Sequence, residues 1–160
     1  MIQRIQTVFL ILVALLMMLF LFFPVWVKID VNTNEYYKAF STFLLHQPAD
    51  GSGLKYIFIP YAISGGLSVL AIIIAIIEIF KYKNRLTQIK LGTLNSLIMT
   101  GSLVLMVFLT YSAQTDLLPA VPGKYQAGLF MPAAAMIFNS LANRFIRKDE
   151  ALVRSVDRIR

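Results

Sequence analysis

The chain has 160 residues, of which 58% are hydrophobic and 14% are charged, and its mean hydropathy is +0.72. Soluble domains are on average about 45–50% apolar and about 25% charged, so the composition predicts an integral membrane protein and excludes an ordinary soluble domain. The net charge is +7, but the basic residues lie in short segments between apolar runs, which argues against a nucleic-acid partner. The chain contains no cysteine, which excludes disulfides and thiolate metal sites.

Four apolar runs follow one another along the chain. The first includes Val8 to Val27, twenty residues without a charged or polar side chain, about the length that crosses a bilayer core of roughly 30 Å as a helix. It ends in bulky residues rather than in a small-residue cleavage site, so we expect a retained span and not a signal peptide. Backbone polar groups in lipid must be hydrogen-bonded within the segment, which predicts helices for all four runs. The predicted spans are residues 6–27, 56–80, 91–113 and 125–143.

The positions of lysine and arginine indicate the orientation of these spans. Basic residues are enriched in the cytoplasmic segments of membrane proteins. If the N-terminus is cytoplasmic, eleven basic residues lie on the inner side: Arg4, Lys81, Lys83, Arg85, Lys90, Arg144, Arg147, Lys148, Arg154, Arg158 and Arg160. Only four lie on the outer side: Lys28, Lys38, Lys55 and Lys124. We therefore expect an all-α membrane protein, one domain over residues 1–160, with four transmembrane helices and both termini in the cytoplasm.

Residues 28–55 form the largest predicted segment outside the bilayer. Val27 to Val31 alternates apolar and polar residues, as a half-buried strand does, and Asn32 to Asn34 is typical of a turn. Tyr36 to Leu45 is apolar enough to return as a strand or a short helix. We expect a small ordered cap on the outer ends of the helices, for which a β-hairpin is one form. The second outer connection, residues 114–124, is predicted to be a short irregular loop.

Aromatic residues gather at the predicted outer ends of the spans, where amphipathic rings favour the headgroup level. The residues concerned are Phe22, Phe23, Trp26, Tyr56, Phe58, Tyr61, Tyr111 and Tyr125. This pattern predicts membrane anchoring rather than a ligand cage.

Glu78 is the only ionisable side chain within a predicted span. Such residues are costly in lipid and are candidates for a functional site. Counted from the inner boundary at about 1.5 Å per residue, Asn95 and Asn139 lie at a similar depth. We predict a hydrogen-bonded cluster of Glu78, Asn95 and Asn139. The simpler interpretation is that Glu78 reaches water or pairs with Lys81, and that the asparagines only form hydrogen bonds between helices.

Small residues recur in the second and third predicted spans. Gly92, Ser96 and Thr100 are spaced by four residues in the third span, with Gly101 and Ser102 beside them, and the second span contains Ser64 to Gly66 and Ser68. Small residues allow helices to approach closely, which predicts that these two spans form the tightest pair, although either could present this face to another protein.

No pattern in the chain indicates catalysis, and no cofactor or metal site is expected. His46 stands alone in a loop without a second ligand at metal spacing, so a surface histidine is the favoured interpretation. The tail, residues 144–160, has helical spacing of apolar residues and mixes acids with arginines, which is typical of a docking surface. The candidate docking residues are Arg147, Lys148, Asp149, Glu150, Arg154, Asp157 and Arg158.

Several motifs resemble a Bacteroidota family of small four-span membrane proteins catalogued as a domain of unknown function. They are Met1-Ile2-Gln3-Arg4-Ile5-Gln6-Thr7 at the start, Tyr125-Gln126-Ala127-Gly128 before the fourth span, and Ile146-Arg147-Lys148-Asp149-Glu150, Leu152-Val153-Arg154-Ser155 and Asp157-Arg158 in the tail. The resemblance covers essentially the whole chain. It implies a protein of the inner membrane of a Gram-negative bacterium, and it supplies no activity or catalytic residue.

Three classes of function remain open from the sequence. The first is a non-enzymatic accessory or scaffolding subunit that contacts other inner-membrane proteins and lipids through the tail and the outer cap. The second is a small oligomeric transporter or channel with a polar path around Glu78. The third, an intramembrane or lipid-modifying enzyme, is the least favoured because a catalytic set is missing.

Overall fold

The computed structural model of the chain describes residues 2–82, 84–117 and 121–157. Within these ranges it contains four long helices: α1 Ile2–Phe22, α2 Tyr61–Phe80, α3 Arg85–Asp116 and α4 Ala127–Asp157. Each is long and apolar enough to cross a membrane. The prediction of four helices of membrane-spanning character is therefore confirmed.

The helices pack as an up-and-down bundle in which buried residues recur at alternating spacings of three and four. In α1 these residues are Gln6, Leu10, Val13, Met17 and Phe20. In α3 they include Gln88, Gly92, Asn95, Met99, Ser102 and Met106. This heptad spacing keeps one face of each helix against its neighbours along its whole length. α1 packs on α2 and α4, and α3 packs on the same two helices, so the four stand in a square in chain order.

A proline moves the predicted end of the first span and the predicted start of the second. α1 ends at Phe22 rather than at residue 27, because Pro24 cannot continue the helical hydrogen bonding and the residue before a proline avoids the helical region. α2 begins at Tyr61 rather than at residue 56, directly after Pro60. In both places some of the residues expected in the membrane helix belong instead to strands of a sheet, namely Trp26 and Val27 in β1 and Tyr56 and Ile57 in β4.

The last two helices are longer than the predicted spans. α3 extends beyond 91–113 at both ends, and the Asn84 side chain caps its start by accepting a hydrogen bond from the Thr87 amide at 3.1 Å. α4 begins at Ala127 rather than at residue 125 and continues without a break to Asp157. The predicted fourth span and the predicted tail helix are therefore one element.

An antiparallel five-stranded sheet caps the end of the bundle at which α1 ends and α2 begins. Its strands are β1 Trp26–Ile29, β2 Tyr36–Ala39, β3 Leu44–Gln47, β4 Lys55–Ile57 and β5 Lys124–Tyr125, in the order β4-β3-β2-β1-β5. The expected hairpin is present as β1 and β2. The expectation of one element over residues 36–45 is wrong, since a turn closed by Phe40 N–H and Phe43 O divides it into β2 and β3. The second outer connection is not wholly irregular either, because β5 pairs with β1.

The sheet and the helices share one core. Val25, Trp26 and Tyr61 are buried in the same cluster as Phe20 of α1 and Leu109 of α3. Trp26 is 1% exposed and Tyr61 is 5% exposed, so both rings are buried in the protein core and do not belong to an exposed aromatic belt. The other six aromatic residues of that predicted belt are exposed. The cap is therefore an integral part of the folded unit rather than a loop resting on it.

Candidate functional site

Polar side chains occupy heptad positions in the half of the bundle where α3 begins. Gln6, Glu78, Gln88, Asn95 and Asn139 are each at most 2% exposed. Burying a polar group costs free energy unless a hydrogen bond compensates it. The hydrogen bonds of these five side chains therefore decide what the cluster can do.

Glu78 lies in the last turns of α2, and its side chain is fully buried. The Gln88 side-chain Nε2 donates to the Glu78 backbone carbonyl at 2.8 Å, which joins the two helices at this level. Both carboxylate oxygens of Glu78 are buried without a hydrogen-bond partner among the described residues. Glu78 thus does not reach water or Lys81, which is exposed on the surface.

Asn139 holds α4 against α3. Its Nδ2 donates to the Gly92 carbonyl at 2.7 Å and to the Ser96 hydroxyl at 2.8 Å. A Cβ at Gly92 would lie 2.4 Å from Asn143 Oδ1, so a larger residue at this position would displace the Asn143 side chain. Gly92 and Ser96 therefore contact α4 rather than α2. The predicted contact between the small residues of α2 and α3 is made further along α3, where the Ser102 hydroxyl lies 3.1 Å from that of Ser64 and 3.3 Å from that of Ser68.

Asn95 is fully buried, and neither atom of its side-chain amide has a hydrogen-bond partner in the described part of the chain. The structure thus places Glu78, Asn95 and Asn139 in the bundle core, but the hydrogen bonds that join helices within this polar cluster are those of Gln88 and Asn139. Within the described ranges, no hydrogen bond joins the three to one another. A functional role for the three residues stays a prediction.

We expect the two asparagines to respond differently to alanine. Asn139→Ala removes two hydrogen bonds, whereas Asn95→Ala removes none, so Asn139→Ala should lower the free energy of unfolding by roughly 1 kcal/mol more. Both changes remove the same side-chain atoms from a buried position, so the loss of packing should be similar in the two variants and the difference should report the hydrogen bonds. The measurement is unfolding of the purified protein in detergent. Equal losses of unfolding free energy in the two variants would contradict the hydrogen-bond assignment. If Asn95→Ala folded stably but cells carrying it lost the activity of the protein, Asn95 would have a functional role.

The candidate docking residues lie along the end of α4. Arg147 and Lys148 are exposed, whereas the Asp149 carboxylate pairs with Arg85 of α3 at 2.9 Å. Glu150 is partly exposed. The side chains of Arg154 and Asp157 and the whole of Arg158 lie outside the described residues. Asp149 therefore contributes to the end of the bundle, and Arg147 and Lys148 remain accessible.

A buried lysine connects the cap to the helices, and the sequence pattern gave no sign of it. Lys28 is 1% exposed, and its Nζ donates to the carbonyls of Gln114, at 3.0 Å, and Leu117 at the end of α3. Carbonyls at a helix C-terminus lack amide partners, and a cation there also interacts favourably with the helix dipole. Burial lowers the pKa of Lys28 from its ordinary value of 10.5.

His46 belongs to a polar network on the cap rather than standing alone. Its Nε2 lies 2.8 Å from the Glu35 carboxylate, and its ring stacks on Tyr37 at a centroid distance of 4.2 Å. Tyr37 donates its hydroxyl to Glu35 at 2.9 Å, and burial, this hydrogen bond and the Glu35 charge raise the pKa of Tyr37 to about 12. In the described part of the chain, no group of three or more His, Cys, Asp and Glu residues is placed to hold a metal.

Comparison with known proteins places the chain in one family. A search of curated protein sequences found no match. The model of the domain of unknown function DUF4293 matches residues 2–159, which is nearly the whole chain. The chain therefore belongs to the DUF4293 family.

Proposed function

We propose that the protein is a non-enzymatic, multi-pass subunit of a larger assembly in the inner membrane of a Bacteroidota bacterium, with both termini in the cytoplasm. The excess of basic residues in the segments assigned to the inner side supports this orientation. A reporter fused after Arg160 that faces the periplasm would contradict it.

The observation that carries the proposal is the exposed end of α4. Beyond Asp149, which pairs with the start of α3, the helix presents Leu152 and Val153 with exposed fractions of 49% and 41%. Arg147 and Lys148 are exposed on the turn before them. A helix that combines exposed apolar residues with charges is suited to lie in the groove of a partner protein.

The outer sheet offers a second surface for a partner. β4 is an edge strand, and all three of its residues are exposed, including Tyr56 and Ile57. An edge strand presents unpaired backbone N–H and C=O groups, to which a strand of another protein can add. The two surfaces lie at opposite ends of the bundle, so one subunit can contact a partner on both sides of the membrane.

Site-specific photocrosslinking in native membranes tests the tail surface. We expect a crosslinker at Leu152 to capture one membrane protein that also co-purifies at fixed stoichiometry in mild detergent. The matched control carries the crosslinker at Val104, which is 61% exposed in the middle of α3 and should capture lipid. The double change Leu152→Glu and Val153→Glu should abolish co-purification without lowering the unfolding temperature. Crosslinks at Leu152 to lipid or to this chain alone would contradict the proposal.

A small oligomeric transporter is the second candidate, and the buried Glu78 carboxylate without hydrogen-bond partners favours it. Ionisable residues inside membrane helices frequently mark ion or proton paths. Purified protein in liposomes that conducted a solute, and lost conduction in Glu78→Gln, would replace the subunit proposal by this one. Absence of flux in both proteins would support the subunit.

A further inference from the structure

Three cavities adjoin one another on the face of the bundle formed by α3 and α4. The first has a volume of about 400 Å³ and a polar lining of Thr93, Ser96, Ser140, Asn143, Arg144 and Arg147. The second, about 630 Å³, shares Thr93 and Ser96 and continues along α3 past Leu94 and Leu97. The third, about 580 Å³, shares Ser140 and Arg144 and continues along α4 past Met136 and Ile137. One polar chamber thus opens into two apolar grooves.

The polar chamber has an excess of positive charge. Arg144 and Arg147 are exposed, and neither pairs with an acid among the described residues. Asp149, on the following turn, is already paired with Arg85 at 2.9 Å. Lys90 lines the adjoining groove on α3. Guanidinium groups bind phosphate oxygens with two parallel hydrogen bonds, so the chamber is complementary to a phosphate group.

The wall of the chamber contains a polar group that lacks a partner. Asn143 is 8% exposed, and its Oδ1 is buried without a hydrogen-bond partner in the described part of the chain. The side chain sits directly over Gly92, where any larger residue would displace it. Rotation of the last torsion allows this amide to present either its oxygen or its NH₂ group to a ligand. Asn143 therefore can bind a hydroxyl or a phosphate oxygen in the chamber.

Two hydroxyl groups of the wall are also available. Thr93 donates to the Ile89 carbonyl at 2.9 Å, and Ser140 donates to the Met136 carbonyl at 2.8 Å. These are local bonds to the preceding turn, whose carbonyls also accept from helix amides. Each hydroxyl can therefore turn toward a ligand in the chamber without leaving its own helix unsatisfied.

We propose that this face binds one anionic phospholipid, with its phosphate on Arg144 and Arg147 and one acyl chain in each apolar groove. Arg144 directly follows the apolar part of α4, which is where a headgroup meets a membrane-spanning helix. The grooves run from this level toward the middle of the bundle, and Leu97 and Ile137 at their sides are 70% and 62% exposed. Free phosphate shares the charge chemistry of the headgroup but leaves both grooves empty.

Native mass spectrometry of the delipidated full-length protein tests the site. We titrate phosphatidylglycerol and phosphatidylcholine with identical acyl chains and count bound lipids. One phosphatidylglycerol should bind at least about tenfold more tightly than phosphatidylcholine, because each basic residue near a membrane surface contributes about 1 kcal/mol of attraction to anionic lipid. Arg144→Gln with Arg147→Gln should weaken phosphatidylglycerol binding by at least about tenfold for the same reason.

The matched control is Lys81→Gln with Lys148→Gln, which removes the same charge from exposed positions outside the three cavities. It should leave binding nearly unchanged, and an equal loss of affinity would overturn the site in favour of non-specific attraction.

Ala133→Phe tests the groove on α4 without changing the charge. The larger side chain fills the groove, so this variant should also weaken phosphatidylglycerol binding. It keeps the site testable if the arginine variant does not fold. Unchanged binding in Ala133→Phe, or displacement of the lipid by equimolar inorganic phosphate, would overturn the phospholipid as occupant.

Discussion

Gly128→Ala is expected to lower the free energy of unfolding by about 1–3 kcal/mol, because the added methyl group has no space. Its Cβ would lie 2.5 Å from the Pro24 carbonyl oxygen and 2.7 Å from the Phe23 carbonyl oxygen. These are backbone atoms, and the chain there is held by the Gly128 amide, which donates to Pro24 O at 3.1 Å. The clash therefore separates α4 from the junction between α1 and β1. Thermal unfolding in detergent measures the loss.

Gly101→Ala is the matched control for this change. Gly101 is exposed in the middle of α3, and a Cβ there meets no atom within 4 Å. Alanine is a better helix former than glycine by about 1 kcal/mol, so Gly101→Ala should be neutral or stabilising. If Gly128→Ala proved as stable as Gly101→Ala, the close approach of α4 to the end of α1 would be refuted.

Lys28→Ala is expected to destabilise the protein by about 2–4 kcal/mol, through loss of two charge-assisted hydrogen bonds and of buried side-chain volume. The lysine joins β1 to the carbonyls of Gln114 and Leu117, and its Nζ lies 5.9 Å from the ring centroid of Trp26. Without the lysine, these two carbonyls lose their cationic donor, and the sheet is held less firmly against the end of α3. Denaturant unfolding, with Trp26 fluorescence as the probe, reports this change directly.

Two further variants separate the causes. Lys28→Met restores the buried side-chain volume but not the hydrogen bonds, so the difference between Met and Ala isolates packing. Lys55→Ala removes the same charge from the exposed edge strand β4 and should change stability by less than about 0.5 kcal/mol. Equal effects of Lys28→Ala and Lys55→Ala would show that the lysine does not support the end of α3.

The two ends of the bundle differ in how they are stabilised. The end at which α1 ends is closed by a sheet whose buried residues continue the apolar core of the helices. The opposite end buries Gln6, Glu78 and Gln88, each with a side-chain oxygen that has no partner among the described residues. Buried polar groups without hydrogen bonds reduce stability. These groups therefore lower the stability of the end that carries the exposed part of α4.

The sequence alone predicted the four helices and the first hairpin, because both depend on local patterns. A continuous apolar run predicts a helix, because a helix forms all backbone hydrogen bonds within the segment in lipid. Alternation of apolar and polar residues followed by a turn signal predicts paired strands. The sequence did not predict that Trp26 and Tyr61 are buried in the core. Their burial depends on the packing of the sheet against the helices, which brings together residues distant along the chain.

The candidate site could be predicted only in part. An ionisable residue in an apolar run and asparagines at similar depth are visible in the sequence, and the structure buries Glu78, Asn95 and Asn139. The hydrogen-bond partners of these side chains could not be predicted from the sequence, because they depend on the rotation of each helix about its axis. That rotation turned Gly92 and Ser96 toward α4, and it left Asn95 without a partner among the described residues.

By itself, the amino-acid sequence determined that this chain forms four apolar helices with polar connections, since hydrophobicity and backbone hydrogen bonding act over short stretches. Tertiary structure alone decided that Lys28 supports the end of α3, that β5 completes the sheet, and that Arg144 and Arg147 share a chamber with Thr93 and Asn143. These contacts join residues far apart in the chain, and their geometry follows from how the helices pack rather than from any local pattern.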